Sequence, residues 1–138
     1  MIVVIDTNVW VSGLQFARRR GPPTLALEKA LAEDVVATCN EIEAEIVRVL
    51  TEKFHWERHR VIAAMHSVMA RSIRVDIRGT VQACRDSSDD VFLECAELAE
   101  AHLLIAGDND LLSLGSYKGT HIITPAEYVT LPYSRSQK

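Results

Sequence analysis

The feature that most constrains this 138-residue chain is an alternation: short, wholly apolar runs separated by stretches with helical spacing. Ile2–Ile5 offers no polar position to face water, which is the pattern of a strand buried on both faces. Val35–Thr38, Ile73–Ile77, His102–Ala106 and His121–Ile123 read as four further strands. Between them, Ile42, Ile46, Val49 and Leu50 recur at helical spacing over about 41–52, and a second amphipathic helix covers about 56–70. Gly21-Pro22-Pro23 breaks the chain before a short helix from Thr24. Asn40 is placed to cap the 41–52 helix, with Glu43 in capping-box position. Ser87 or Ser88 is placed to cap a helix running to about Glu100. Asp108 opens a short helical turn, and Thr124-Pro125 starts a last short helix. The alternation predicts an α/β fold, a single-domain three-layer sandwich around a mainly parallel five-stranded sheet.

Size and composition agree with one domain. Apolar residues make up 48% and charged residues 25%, the balance of a globular chain with a sizeable core. The domain is expected over residues 1–130, with 131–138 a short polar tail. A net charge of −4 argues against polyanion binding by bulk charge, but leaves room for a local basic patch. Cys39, Cys84 and Cys95 are odd in number and form no CxxC pair, which suggests a reducing compartment. There is no basic leader with a cleavage pattern, and no apolar run approaches the roughly 20 residues that span a bilayer. A cytoplasmic location without membrane contact is therefore expected.

In such a sheet each helix starts where the preceding strand ends, and ligands bind outside that carboxyl edge. Asp6 follows the first strand, and Asp108 follows the fourth after one glycine. Asp89 and Asp90 open the helix after the third strand, and Glu41, Glu43 and Glu45 lie in the first turns after the second. Singly, each has an ordinary role as a turn residue, a helix cap or part of a solvated face. Together they fall on one edge. Carboxylates gathered there repel one another, and a divalent cation relieves the repulsion. Oxygen donors without a Cys/His cluster favour Mg²⁺ or Mn²⁺, ions that bridge phosphate oxygens and activate water toward a phosphodiester.

The residues that carry these acids resemble the PIN domain, the PilT N-terminus nuclease fold, and within it VapC-like toxins. The matching pieces are IDTNVWVSGL, EIVRVL, RDSSDDVFLECA and IAGDNDLLSL followed by IITPAEY, in that order over nearly the whole chain. The resemblance implies a metal-dependent ribonuclease with four principal acids. By position these are Asp6, Glu45, Asp90 and Asp108, with the third open between Asp86, Asp89 and Asp90. It implies Asp6, Asp90, Asp108 and accessory Asp110 as ligands of Mg²⁺ or Mn²⁺. Thr7 or Asn8 would orient Asp6 or the substrate, and Ser12 stands where the family often has a small polar residue. Two positions depart from the pattern: Ala106 replaces a frequent threonine, and Ser87 a usual proline. The resemblance further implies an RNA substrate, a small cognate antitoxin protein and a homodimer.

Arg18, Arg19 and Arg20, in the loop after the first strand, are candidates for contacting RNA phosphates or are simply a solvated loop. Lys53, Arg58, His59 and Arg60 extend the basic rim on the same alternatives, and Trp10 and Trp56 read as core or contact residues more readily than as base-stacking ones. Other function classes fit less well. A phosphoacceptor receiver domain needs a lysine at the end of the last strand, where this chain has IITP. A haloacid-dehalogenase site needs Asp-x-Asp, where it has Asp6-Thr7-Asn8. A non-catalytic PIN scaffold is favoured by missing acids, and all four positions are filled. A housekeeping RNA-processing role competes with the toxin role.

Overall fold

The computed structural model describes residues 1–84 and 87–132. A six-stranded sheet forms its centre, in the order β3-β2-β1-β4-β6-β5. β1 (Ile2–Ile5), β2 (Val35–Thr38), β3 (Ser72–Arg74), β4 (Leu103–Ile105) and β6 (Thr120–Ile123) are parallel. The sixth strand, β5 (Ser116–Tyr117), pairs antiparallel with β6. It is joined to β6 by Lys118 and Gly119, both at positive φ (47° and 88°). Two such residues make the turn type that matches the twist of a hairpin. The sequence reading of five strands passes over β5 because two residues are too short for an apolar pattern.

Val3, Val4 and Ile5 are all fully buried, so side chains on both faces of β1 are covered. α5 (Asp90–Ala99) packs across β1, β2 and β4, while α2 (Pro22–Glu33) packs against β2 and α7 (Pro125–Val129). α1 (Thr7–Gln15) lies against both α2 and α3 (Asn40–Glu52), and α3 contacts α4 (Arg58–Met69). α6 (Asn109–Leu114) precedes the hairpin.

Three local expectations change. The chain after Asp6, read as a loop, begins with a nine-residue helix, and Asp6 takes the helix-cap role left open for it. Gly13 within it is required by packing: a Cβ there would lie 2.5 Å from Leu27 Cδ1 and 3.0 Å from the Pro23 carbonyl. The proline pair marks the start of α2, where a missing N–H is tolerated. Asn40 does not cap α3. Cys39 holds the extended backbone before the helix, Asn40 is already helical, and Glu43 turns to Arg74 with contacts of 2.6 and 2.8 Å.

The strand order reverses between β1 and β4, the kind of switch point outside which open α/β sheets bind ligands. Asp6 and Asp108 follow the two strands that flank it. No helix of the described residues is long and apolar enough to cross a membrane.

Candidate active site

Asp6 leaves β1 with its amide still in the sheet, donating to the Ile105 carbonyl at 3.0 Å. Its carboxylate then takes two jobs at once. Oδ1 accepts from the Val9 amide at 2.8 Å and caps α1, while Oδ2 accepts from the Gly107 amide at 3.0 Å. Burial pushes its pKa up from the ordinary aspartate value, against the pull of the Val9 and Gly107 amides, and the nearby charge of Asp108 adds to the rise.

A cleft of about 310 Å³ opens at this edge. Asp6, Thr7 and Asn8 line one part of it; Glu41, Ile42 and Glu45 come from α3; Ser88, Asp89, Val91 and Phe92 from the start of α5; and Asp108 from the end of β4. Among the described residues, Asp89, Asp108 and Asp110 bring one carboxylate oxygen each within 4.8 Å of one another. Asp108 caps α6 through a 3.4 Å contact from the Asp110 amide to Oδ1. That cap sets Asp108 and Asp110 two residues apart with both carboxylates near Asp89.

Among the described residues, two buried oxygens on this cleft have no hydrogen-bond partner, Asp108 Oδ2 and Thr7 Oγ1. Buried polar atoms are rarely left so. An all-oxygen set with an orphaned carboxylate oxygen suits a hard divalent cation, and Asp89, Asp108 and Asp110 are the residues placed to hold it.

Asp90 makes different contacts. Its Oδ1 accepts from the amides of Ala83 at 2.9 Å and Cys84 at 2.8 Å, which ties this oxygen to the loop before the helix. Asp89, at the end of a single 3₁₀ turn (Ser87–Asp89), is the residue that joins Asp108 and Asp110. Asp86 lies outside the described residues. Glu45 lines the cleft but is held by Arg48 through contacts of 2.6 and 3.1 Å. Ser12 lines a neighbouring hollow of about 390 Å³ that shares Asn8 and also meets Gly107 and Thr124. Arg18, Arg19 and Arg20 are exposed at the far end of α1, and Arg20 pairs with Glu28.

Glu94 is a buried structural acid absent from the sequence reading. It is buried one helical turn beyond Asp90, and accepts from the amides of Arg78, Gly79 and Thr80 at 2.5–3.2 Å. Glu94 and Asp90, four residues apart on one face of α5, thereby tie the segment 78–84 to that helix. The signal was a glutamate in the middle of the apolar stretch Val91–Ala96, where an unpaired charge is too costly to bury.

The chain has relatives. It is 28% identical over 117 residues to uncharacterized protein MJ1680 of Methanocaldococcus jannaschii, covering 81% of this chain and 74% of that one. Residues 2–110 match the sequence profile of the PIN domain. PIN domains are in general nucleases that use divalent metals, and this chain carries a cluster of three acidic residues. From Asp6 on the first strand to Asp110 beyond the fourth, the matched stretch contains every acid of the cleft, and the chain belongs to the PIN domain family.

Proposed function

We propose that the protein is a Mg²⁺- or Mn²⁺-dependent endoribonuclease. The observation that carries the reading is the convergence of Asp89, Asp108 and Asp110 within 4.8 Å on a cleft walled by Asp6 and Glu45. Asp89, Asp108 and Asp110 hold the cation, with Asp6 beside them. When bound, the cation neutralises charge on the scissile phosphate and activates water for attack. Asp6 is fixed by two amides and cannot swing away, so its position against the phosphate is set before substrate arrives. Glu45 stands on the α3 wall, where its exchange between Arg48 and the incoming substrate side brings a base toward the cleft. Thr7 supplies an unused hydroxyl at the same place. Asn8 lies between the cleft and the adjoining hollow, placed to meet the substrate on either side.

Within this reading the protein is the toxin of a type II toxin–antitoxin pair, with a small antitoxin covering the cleft and a homodimer as the assembled form. The similarity of its motifs to VapC-like toxins supports this, and co-purification with the product of an adjacent short gene tests it. The nuclease reading is tested by incubating the protein with structured and single-stranded RNAs in Mg²⁺, Mn²⁺ or EDTA. Cleavage dependent on metal and lost in Asp6→Asn and Asp108→Asn is expected. A folded protein that binds no metal and cleaves nothing would leave a non-catalytic scaffold instead.

A further inference from the structure

The positive charge of this acidic chain is unevenly placed. Residues 16–20 and 53–60 together carry six Lys and Arg against one acid, Glu57, in a chain of net charge −4. Elsewhere Arg48 pairs with Glu45, Arg74 with Glu43 and Lys118 with Glu97, while Lys29 and Arg71 donate to backbone carbonyls. In the two basic segments Arg20 pairs with Glu28, but Arg18, Arg19, Lys53, Arg58 and Arg60 make no ion pair among the described residues.

Three of these cations rest on aromatic rings. Arg19 lies over Phe16 at 4.4 Å, Lys53 over Phe54 at 5.5 Å, and Arg60 over Trp56 at 3.6 Å. Two of the rings pack together and the third is linked to them through Gln15. Phe16 and Phe54 meet edge to face at 5.9 Å, and the Trp56 indole N–H donates to Gln15, the neighbour of Phe16. Trp56 is buried, so its ring serves as a support for Arg60 rather than as a face open to a ligand. A guanidinium lying flat on a ring keeps its N–H groups in plane and free to meet phosphate oxygens. The rings also restrict long side chains in advance, which reduces the entropy lost on binding.

We propose that this cation–aromatic cluster binds the phosphate backbone of a single-stranded RNA as it leaves the cleft. The proposal rests on the nuclease reading for its substrate. What ties the cluster to the cleft is continuity: α1 and α3 line the cleft with their first turns and carry the cluster at their far ends. At 1.5 Å per residue, Asn8 to Phe16 spans roughly 12 Å and Glu45 to Phe54 roughly 14 Å. A strand seated on the metal cluster thus reaches these cations within a few nucleotides, on a surface that reads charge rather than base identity.

The test is fluorescence anisotropy with a labelled, unstructured 20-nucleotide RNA in EDTA, over a series of salt concentrations. The full chain is compared with the triple variant Arg19→Gln/Lys53→Gln/Arg60→Gln and with Lys53→Glu alone, an exposed single change that keeps the fold. The triple variant is expected to bind at least tenfold more weakly. Its log K against log salt should be shallower by about 2, because each phosphate contact on a single strand contributes about 0.7 to the slope. Lys53→Glu should weaken binding in the same direction. Unchanged affinity and slope in both folded variants overturns the proposal. So does loss of binding to polyglutamate with RNA binding intact, which would assign the surface to an acidic protein. Absence of metal-dependent cleavage by the wild-type chain is a separate result: it refutes the nuclease reading while the binding comparison still decides whether this surface holds RNA.

Discussion

The carboxylate of Asp6 and the amide of Gly107 are joined by a 3.0 Å hydrogen bond across the switch point of the sheet. Through it, the acid that ends β1 is fixed to the residue immediately before Asp108, the acid that follows β4. The spacing of two cleft carboxylates is therefore a property of the sheet itself, set by the pairing of Ile5 with Ile105.

This makes Asp6→Asn and Asp6→Ala different experiments. Asparagine caps helices about as well as aspartate but has one acceptor oxygen, so Asp6→Asn should keep the α1 cap and the fold, lose the bond from the Gly107 amide at a modest cost in stability, and lose cleavage. Asp6→Ala removes the cap on α1 as well and should lower stability by about 1 kcal/mol. Urea unfolding beside an RNA cleavage assay separates the two effects; equal cleavage by wild type and Asp6→Asn would remove Asp6 from the chemistry.

Glu94 should matter for stability more than any exposed acid. Glu94→Ala leaves the amides of Arg78, Gly79 and Thr80 without their acceptor, a loss of about 2 kcal/mol. Hydrogen exchange should rise first at those three amides. Protection unchanged there would show that the segment is held by other contacts.

Glu45 and Arg48 are both about half exposed, so water screens their pair and breaking it should leave stability nearly unchanged. Glu45→Gln is predicted to keep its melting temperature within a degree or two and to lower the cleavage rate at least tenfold, for a group contributing to acid–base catalysis. A variant as active as the wild type would make Glu45 a surface ion-pair partner only.

Cys84 reports on the acidic cluster. Burial pushes its thiol up to about 12, helped by its hydrogen bond with Asp90 and by the charges of Asp90, Asp89 and Asp108. At pH 9 only about a thousandth of such a thiol is ionised, against most of an ordinary one near 8.5. Alkylation at Cys84 should therefore be slow, and should quicken when Mg²⁺ or Mn²⁺ neutralises Asp89 and Asp108. Peptide mass spectrometry of iodoacetamide-treated protein measures both; a fast reaction without metal, or no response to metal, would count against cation binding beside Cys84.

The parts of the site legible in the sequence are those fixed by strand ends. Asp6 follows its apolar run directly and Asp108 after Ala106 and Gly107, and a strand buried on both faces leaves its first polar residue at the edge. Asp89 and Asp90 were not separable, because adjacent helical residues point about 100° apart and the 3₁₀ turn at Ser87–Asp89 sets which one faces the cleft. The capping residue of α3 was misassigned to Asn40 because a good cap residue outweighed Cys39, whose extended backbone depends on β2 pairing. β5 was hidden by its length, although Lys118-Gly119 carried the turn. The cation–aromatic cluster joins residues 38 positions apart, Phe16 and Phe54, which no local pattern connects.

The central claim is that Asp89, Asp108 and Asp110 hold a divalent cation. The most direct measurement is Mn²⁺ binding by electron paramagnetic resonance to wild type, Asp89→Asn and Asp108→Asn, with folding checked by circular dichroism. The account predicts binding by wild type that weakens at least tenfold in each variant, since each removes one of three clustered carboxylates. Equal Mn²⁺ affinity in all three proteins would contradict it.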